Sequence, residues 1–221
     1  MDENAVVYHF TKKENVEAIL NKGLLPGTKY NTLGSKLRFG ANYFWLSPAH
    51  DLMNYKNNID YECLQVTVNE KLCIVGNMDL ISSAAVNFFM SKKGNSLYEY
   101  QVLAKLFDET SVNYRSYEEG LFRAPEVIVQ KEISPKNINI IKSSEVKEKY
   151  AHNRKIYNER IRNKLVILSD NRFSNISSTI SYLEEHSKIK KVATHDDSFG
   201  LLDSYIIMDT NEFFTIEQRC T

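Results

Sequence analysis

An α+β fold, a β-sheet core flanked by helices with a small C-terminal α/β appendage, is what this sequence predicts, on three observations. Short apolar runs of strand length, such as Val6-Val7-Tyr8 and Val127-Ile128-Val129, recur along the chain. Longer segments, Met78 to Met90 and Leu97 to Phe107, carry apolar residues three and four apart, which is the helical period. The length of 221 residues, with 43% apolar and 25% charged side chains, suits one large soluble domain or a domain with an appendage.

Tyr8-His9-Phe10 closes a first strand. Thr11-Lys12-Lys13-Glu14 has the form of a capping box, in which a hydroxyl and a carboxylate satisfy the first free amides of a helix. Val16, Ile19 and Leu20 then follow at helical spacing, and Gly23 supplies the stop. Residues 26–40, rich in Gly, Asn, Thr and Lys, form a long loop, which in a compact domain is more often functional than idle. Ala41 to Leu46 is a second strand, and Ser47-Pro48 starts a short helix that ends at Tyr55. Cys63 to Val68 and Lys71 to Val75 are strand-like, as are Val127 to Val129 and Ile138 to Ile141, with a turn at Ser134-Pro135 between the last two. Ser144 to Arg162 is a long polar helix. Beyond Lys164 come Leu165 to Leu168, a helix from about Phe173 to His186, Lys191-Val192-Ala193 and Tyr205-Ile206-Ile207. That tail reads either as a small βαβ-like unit or as strands added to the main sheet. The chain thus divides into a core of residues 1–142 and an extension of residues 143–221.

No apolar stretch approaches the roughly 20 residues of a membrane span, and Met1-Asp2-Glu3-Asn4 is not a secretory signal, which predicts a cytoplasmic protein without a membrane partner. Cys63, Cys73 and Cys220 are widely spaced and odd in number, so neither a disulfide framework nor a zinc site is expected, nor any other metal. The formal charge is zero but unevenly spread: residues 142–164 carry eight basic and three acidic side chains, and the remaining tail carries five and nine. A local basic surface can attract phosphates even on a neutral molecule.

Three residues carry the functional expectation. His9, Tyr43 and Glu126 each stand on or beside a strand-like run, and a folded sheet can bring them to one cleft. A glutamate heading a run of Val, Ile and Val has an apolar neighbourhood, where a charge needs a reason. His9 and Tyr43 taken singly also read as a satisfied structural histidine and a core aromatic.

The ordered set resembles the ADP-ribosyltransferases of the poly-ADP-ribose polymerase type, nearest to the bacterial DarT-like toxins. The resemblance rests on the early strand ending in His9, the helix ending Ile19-Leu20-Asn21-Lys22-Gly23-Leu24, the Phe39-Gly40-Ala41-Asn42-Tyr43-Phe44 segment and Tyr55. It is completed by Pro125-Glu126-Val127-Ile128-Val129 followed by Ile133-Ser134-Pro135-Lys136-Asn137-Ile138. It implies a split mixed β-sheet and an enzyme that uses NAD as its substrate. His9, with Thr11 beside it, would bind the adenosine-side ribose, Tyr43 and Tyr55 would sandwich the nicotinamide, and Glu126 would hydrogen-bond the nicotinamide ribose. Phe10 stands where many relatives have glycine, and His50-Asp51 replaces their lysine-serine. A carboxylate beside the ribose favours the cation that develops as the glycosidic bond breaks, more in the transition state than in the ground state.

Arg38 and Arg123 flank the expected cleft. They can bind NAD phosphates, or orient and help deprotonate an acceptor base, as an arginine does in DarT-like enzymes; they also read as solvated surface residues. On the basic helix, Lys147, Lys155, Arg160 and Arg162 interleave with Tyr150 and Tyr157, which are seven residues apart and share a face. That pattern suits a single-stranded nucleic acid, and it also suits an amphipathic helix that packs its tyrosines on the main domain. The expected activity is mono-ADP-ribosylation of nucleic acid by a toxin or phage-defence effector, with an antitoxin protein as a possible partner. Modification of protein, free hydrolysis of NAD and a catalytically idle NAD-fold binding module are the alternatives. RNA 2′-phosphotransferases share the fold but rely on basic residues, and the glutamate strand argues against them.

Overall fold

Alternation sets the first strand. In β1 (Asn4–Lys12), Ala5 and Val7 point to one side and are buried, and the strand pairs antiparallel over its whole length with β3 (Tyr61–Asn69), from Asn4↔Asn69 to Lys12↔Tyr61. The computed structural model describes residues 3–27, 33–45, 60–141, 147–197 and 200–218, the first five residues and the last residue of the 147–197 segment by backbone only. The expected helix from Ser47 to Tyr55 lies outside these residues. β1 runs two residues past Phe10 and takes Thr11 into the sheet, so the expected capping box does not form. Helix α1 (Lys13–Lys22) starts from Lys12 with no side-chain cap, and buried Thr11 instead accepts from Asn15 Nδ2 at 3.5 Å. Gly23 ends the helix as expected, at φ 84°, and a Cβ there would lie 2.0 Å from the carbonyl oxygen of Ile133.

The remaining strands of the large sheet are β2 (Asn42–Trp45), β4 (Cys73–Asn77), β5 (Val112–Asn113), β6 (Pro125–Val129) and β7 (Ile138–Ile141), in the order β5-β4-β6-β2-β1-β3-β7. Every pairing among the described residues is antiparallel, which replaces the mixed sheet expected from the sequence. Strand direction follows from how the connections cross the sheet, and residue patterning leaves that open. β2 pairs with β6 at four positions but meets β1 at the single described register pair Tyr8↔Trp45. On the His9 side of that pair no further register pair joins the two strands among the described residues.

Helices α2 (Met78–Ser91) and α3 (Tyr100–Thr110) cover the face that carries Ile128, and α1 covers the opposite face with Val7, Phe44, Leu64 and Val127. At Gly76 any larger residue would strike the Phe107 ring, 2.5 Å from an added Cβ, so this glycine sets how closely α3 sits on β4.

The extension forms a separate antiparallel sheet of β8 (Ile189–Asp197), β9 (Gly200–Ile207) and β10 (Phe213–Glu217), neither a βαβ unit nor strands added to the main sheet. One face, with Val192, Ile206 and Phe213, packs on α2 and α3. The other, with Tyr205, Ile207 and Phe214, is covered by α4 (Lys147–Leu168) and α5 (Ile176–Glu185). Leu165 to Leu168 is the last turn of α4 and not a strand, because Tyr157, Ile161 and Leu165 at intervals of four continue one buried helical face. Buried Asn87 of α2 joins the layers by donating to the carbonyl of Val192 at 2.9 Å.

Candidate active site

Arg38 and Glu126 meet beneath α2 and α3. Glu126 sits on β6 between Trp45 of β2 and Gly76 of β4, and is 2% exposed. Arg38 Nη1 donates to Glu126 Oε2 at 2.6 Å and also lies 3.2 Å from Met78 Sδ. Its guanidinium carbon stands 4.3 Å from the centroid of the Tyr43 ring, a cation–π contact, while Arg38 Nε is buried with no hydrogen-bond partner among the described residues. Register places Tyr43 on the Glu126 side of the sheet, since Tyr43 pairs Ile128 and Trp45 pairs Glu126.

A loop does not hold an arginine under a sheet without support, and here Asp108 of α3 supplies it. Its carboxylate accepts from Ser35 Oγ at 2.5 Å, from the Lys36 amide at 2.7 Å and from the Leu37 amide at 3.3 Å. Ser35 Oγ in turn accepts from the Arg38 amide at 3.2 Å, Gln130 Nε2 donates to the Leu37 carbonyl, and the Tyr43 hydroxyl donates to the carbonyl of Arg38. No pattern in the sequence singles out Asp108, which is some seventy residues from the loop it fixes.

His9 does not enter the same pocket. Tyr8 is level with Trp45 and Glu126, so His9, the next residue, faces the other side, where its ring stands edge-on to Phe44 at 6.0 Å. It lies next to the one described register pair of β1 with β2. Desolvation lowers its pKa from the ordinary histidine value, partly opposed by a hydrogen bond to the backbone of Tyr43, so the ring is neutral near pH 7. The expected convergence is thus corrected: Arg38, Tyr43 and Glu126 come together, and His9 joins them only through the backbone of β2. Thr11 is buried in β1 on the His9 side. Tyr55 lies outside the described residues.

Arg123 is turned into the protein and is not at a cleft edge as expected. Its Nε donates to Asp79 Oδ2 at 2.8 Å and its Nη2 to Oδ1, with both side chains 1% exposed. Burial by itself would raise the Asp79 pKa, but the charge and hydrogen bonds of Arg123 and the nearby His195 together outweigh it and hold that carboxyl well below the usual range. Asn153 of α4 fixes the same segment, donating to the Phe122 and Arg123 carbonyls and accepting from the Gly120 amide. Asp79 had one legible signal, an acidic residue in the first turn of a helix beside the capping residue Asn77.

The basic helix is also corrected. Tyr157 is 2% exposed, and its hydroxyl bridges the amide and carbonyl of Thr215, so it is a core residue and no platform for bases. Arg154 pairs with Glu217 and Lys164 with Glu212, which consumes part of the local charge. Lys155, Arg160 and Arg162 are exposed, with Glu159 between Lys155 and Arg162 on the same row. Lys147 and Tyr150 belong to α4, and their side chains lie outside the described residues.

Cys63 and Cys73 are free, buried thiols pushed up to a pKa of about 12 by burial, hence unreactive. Among the described residues there is no group of three His, Cys, Asp or Glu able to hold a metal ion, and no helix long and apolar enough to cross a membrane. No protein-family model matches this chain, and neither a curated protein nor a solved structure matches it.

Proposed function

We propose that this protein is an NAD-dependent mono-ADP-ribosyltransferase of the bacterial toxin or phage-defence type, built on an ADP-ribosyltransferase-like split sheet. The observation that carries the reading is the buried Arg38–Glu126 pair stacked on Tyr43, in which Arg38 Nε still has a donor to give. A buried carboxylate and a buried unsatisfied guanidinium N–H each cost stability, and retaining both is reasonable at a site made for a ligand. The end of the β1–β2 register beside His9 supports the split, and the partly exposed Tyr43 ring supports a flat leaving group.

In this reading the bond between the nicotinamide nitrogen and the ribose breaks, and its electron pair leaves with nicotinamide. Glu126 stabilises the positive charge left on the ribose. The acceptor's lone pair then forms the new bond, and its proton passes to the Glu126 carboxylate. Arg38 keeps that carboxylate in place and offers Nε to the substrate. His9, neutral and at the strand seam, hydrogen-bonds the second ribose, and Thr11 beside it is the remaining contact carried by the resemblance.

The acceptor in this proposal is nucleic acid, with Arg38 orienting the base. A protein acceptor is the second reading, favoured by the burial of Tyr157 and the pairing of Arg154 and Lys164, which remove part of the basic stripe on α4. Incubating the protein with labelled NAD and separate pools of single-stranded DNA, RNA and lysate protein tests both. Transfer of label to one pool, lost in Glu126→Gln, is the expected result. Label that stays on NAD in all pools, with no nicotinamide released, overturns the transferase reading.

A further inference from the structure

We infer that a single-stranded nucleic acid lies along α3, entering at a groove beside Tyr98 and Lys190 and ending at Phe39 next to Arg38. What is done to that strand rests on the transferase reading; the binding path does not. The groove, about 930 Å³, opens between the end of α2, the turn before α3 and β8, and Tyr98, Tyr100, Gln101 and Lys190 line it. Its wall is fixed in advance, because Asn87 Oδ1 accepts from Ser96 Oγ at 2.9 Å and from the Leu97 and Tyr98 amides at 3.1 Å each. Lys190 Nζ stands 5.1 Å from the centroid of the Tyr98 ring, so a cation and an aromatic face are presented together.

Helix geometry connects this groove to the site. Gln101, Lys105 and Asp108 are spaced by four and three residues and share one face of α3. Asp108 is the residue that holds the Arg38 loop, so groove and loop lie on the same side of the helix. Seven residues at 1.5 Å each separate them by about 10 Å, the length of roughly three stacked nucleotides at 3.4 Å. Exposed Lys105 stands between, and exposed Lys36 follows. Phe39, 74% exposed, comes immediately after Arg38. Of the acidic groups along the way, Asp108 is engaged by its three donors, Glu109 pairs with Lys105 in an exposed ion pair that a phosphate would have to displace, and Glu99 stands at the groove rim. Lysines at intervals with aromatic faces at both ends fit a charged strand whose bases stack, better than they fit an apolar protein segment.

The test is binding of a fluorescein-labelled, mixed-sequence single-stranded DNA, and of its RNA counterpart, to the full chain without NAD, as a function of salt. For the parent, affinity should fall with salt. Lys105→Glu with Lys190→Glu should flatten the slope by about 1.4, at about 0.7 per lost phosphate contact. Tyr98→Ala and Phe39→Ala should each weaken binding about 5- to 150-fold, the loss of one stacked base. All four residues are exposed or at the groove edge, and an unchanged thermal midpoint will show that the variants fold. No binding by the folded parent overturns the path and favours a protein acceptor, while leaving NAD chemistry to be judged by nicotinamide release. Parent binding that these variants leave unaltered, or a slope that responds instead to Lys155→Glu with Arg162→Glu on α4, also overturns it.

Discussion

Arg38 and Arg123 are each buried against a carboxylate of their own, and adjacent residues of the first turn of α2 touch them: Met78 the first, Asp79 the second. Their geometries diverge. Arg123 engages both oxygens of Asp79 with a two-pronged fork, each side chain is 1% exposed, and the loop around it is tied down by Asn153. Arg38 meets Glu126 through one nitrogen, stacks on a partly exposed ring and keeps Nε without a partner among the described residues. A filled fork holds the fold together, whereas an open one retains capacity for a ligand. The same residue types thus serve two purposes, separated by how many donors remain.

The sharpest way to break this contrast is to neutralise each acid isosterically. Asp79→Asn should cost about 3–5 kcal/mol in denaturant unfolding, since the amide turns a donor toward the guanidinium and leaves Arg123 charged and uncompensated. Glu126→Gln should cost only about 1–2 kcal/mol, because its amide oxygen can still accept from Arg38 Nη1. Equal losses would dissolve the distinction. In activity the order reverses: Glu126→Gln should lower transfer of label from NAD by about 10²- to 10³-fold at saturating NAD, through loss of the charge that favours the developing cation. Transfer at the parent rate would remove Glu126 from the chemistry.

Acid titration sharpens the same comparison. Because the folded-state pKa of Asp79 is depressed, its pairing contributes stability in full above the unfolded value of about 3.9, and that contribution is lost as pH falls through this value toward the folded one. Parent stability should therefore decline below about pH 4, and the decline should be shallower in Asp79→Asn. Smaller effects are expected at the seam and the loop. His9→Ala should raise the NAD concentration required by about 2- to 10-fold with little change in the saturated rate, since a ribose contact acts in ground and transition states alike. Tyr43→Phe keeps the stacking face but loses the hydroxyl bond to the Arg38 carbonyl, so a loss of about 0.5–1.5 kcal/mol in stability is expected; an unchanged midpoint would show that Asp108 and Gln130 hold the loop without it.

The sequence by itself determined the α+β class and most of the local elements. Period-two and period-3.6 patterns identified β1, β3, β6, β7, α2 and α3, and Gly23 marked the end of α1. It also identified Tyr43 and Glu126 as residues worth placing together, though with His9 as their third member and with Arg38 and Arg123 alike at the flank, because an acid in an apolar strand is conspicuous. Tertiary structure decided the rest. Whether His9 shares a face with Glu126 turns on a register of one residue between β1 and β2, and a one-residue shift exchanges the faces of a strand. Whether Tyr157 offers its ring to a ligand or to the core depended on a sheet formed more than thirty residues later, whose Thr215 satisfies its hydroxyl. Arg123 and Arg38 look alike in sequence, and only the packing that brings Asp79 to one and Glu126 to the other distinguishes them. Each of these outcomes was fixed by a contact between residues far apart in the chain, where local propensity carries no information.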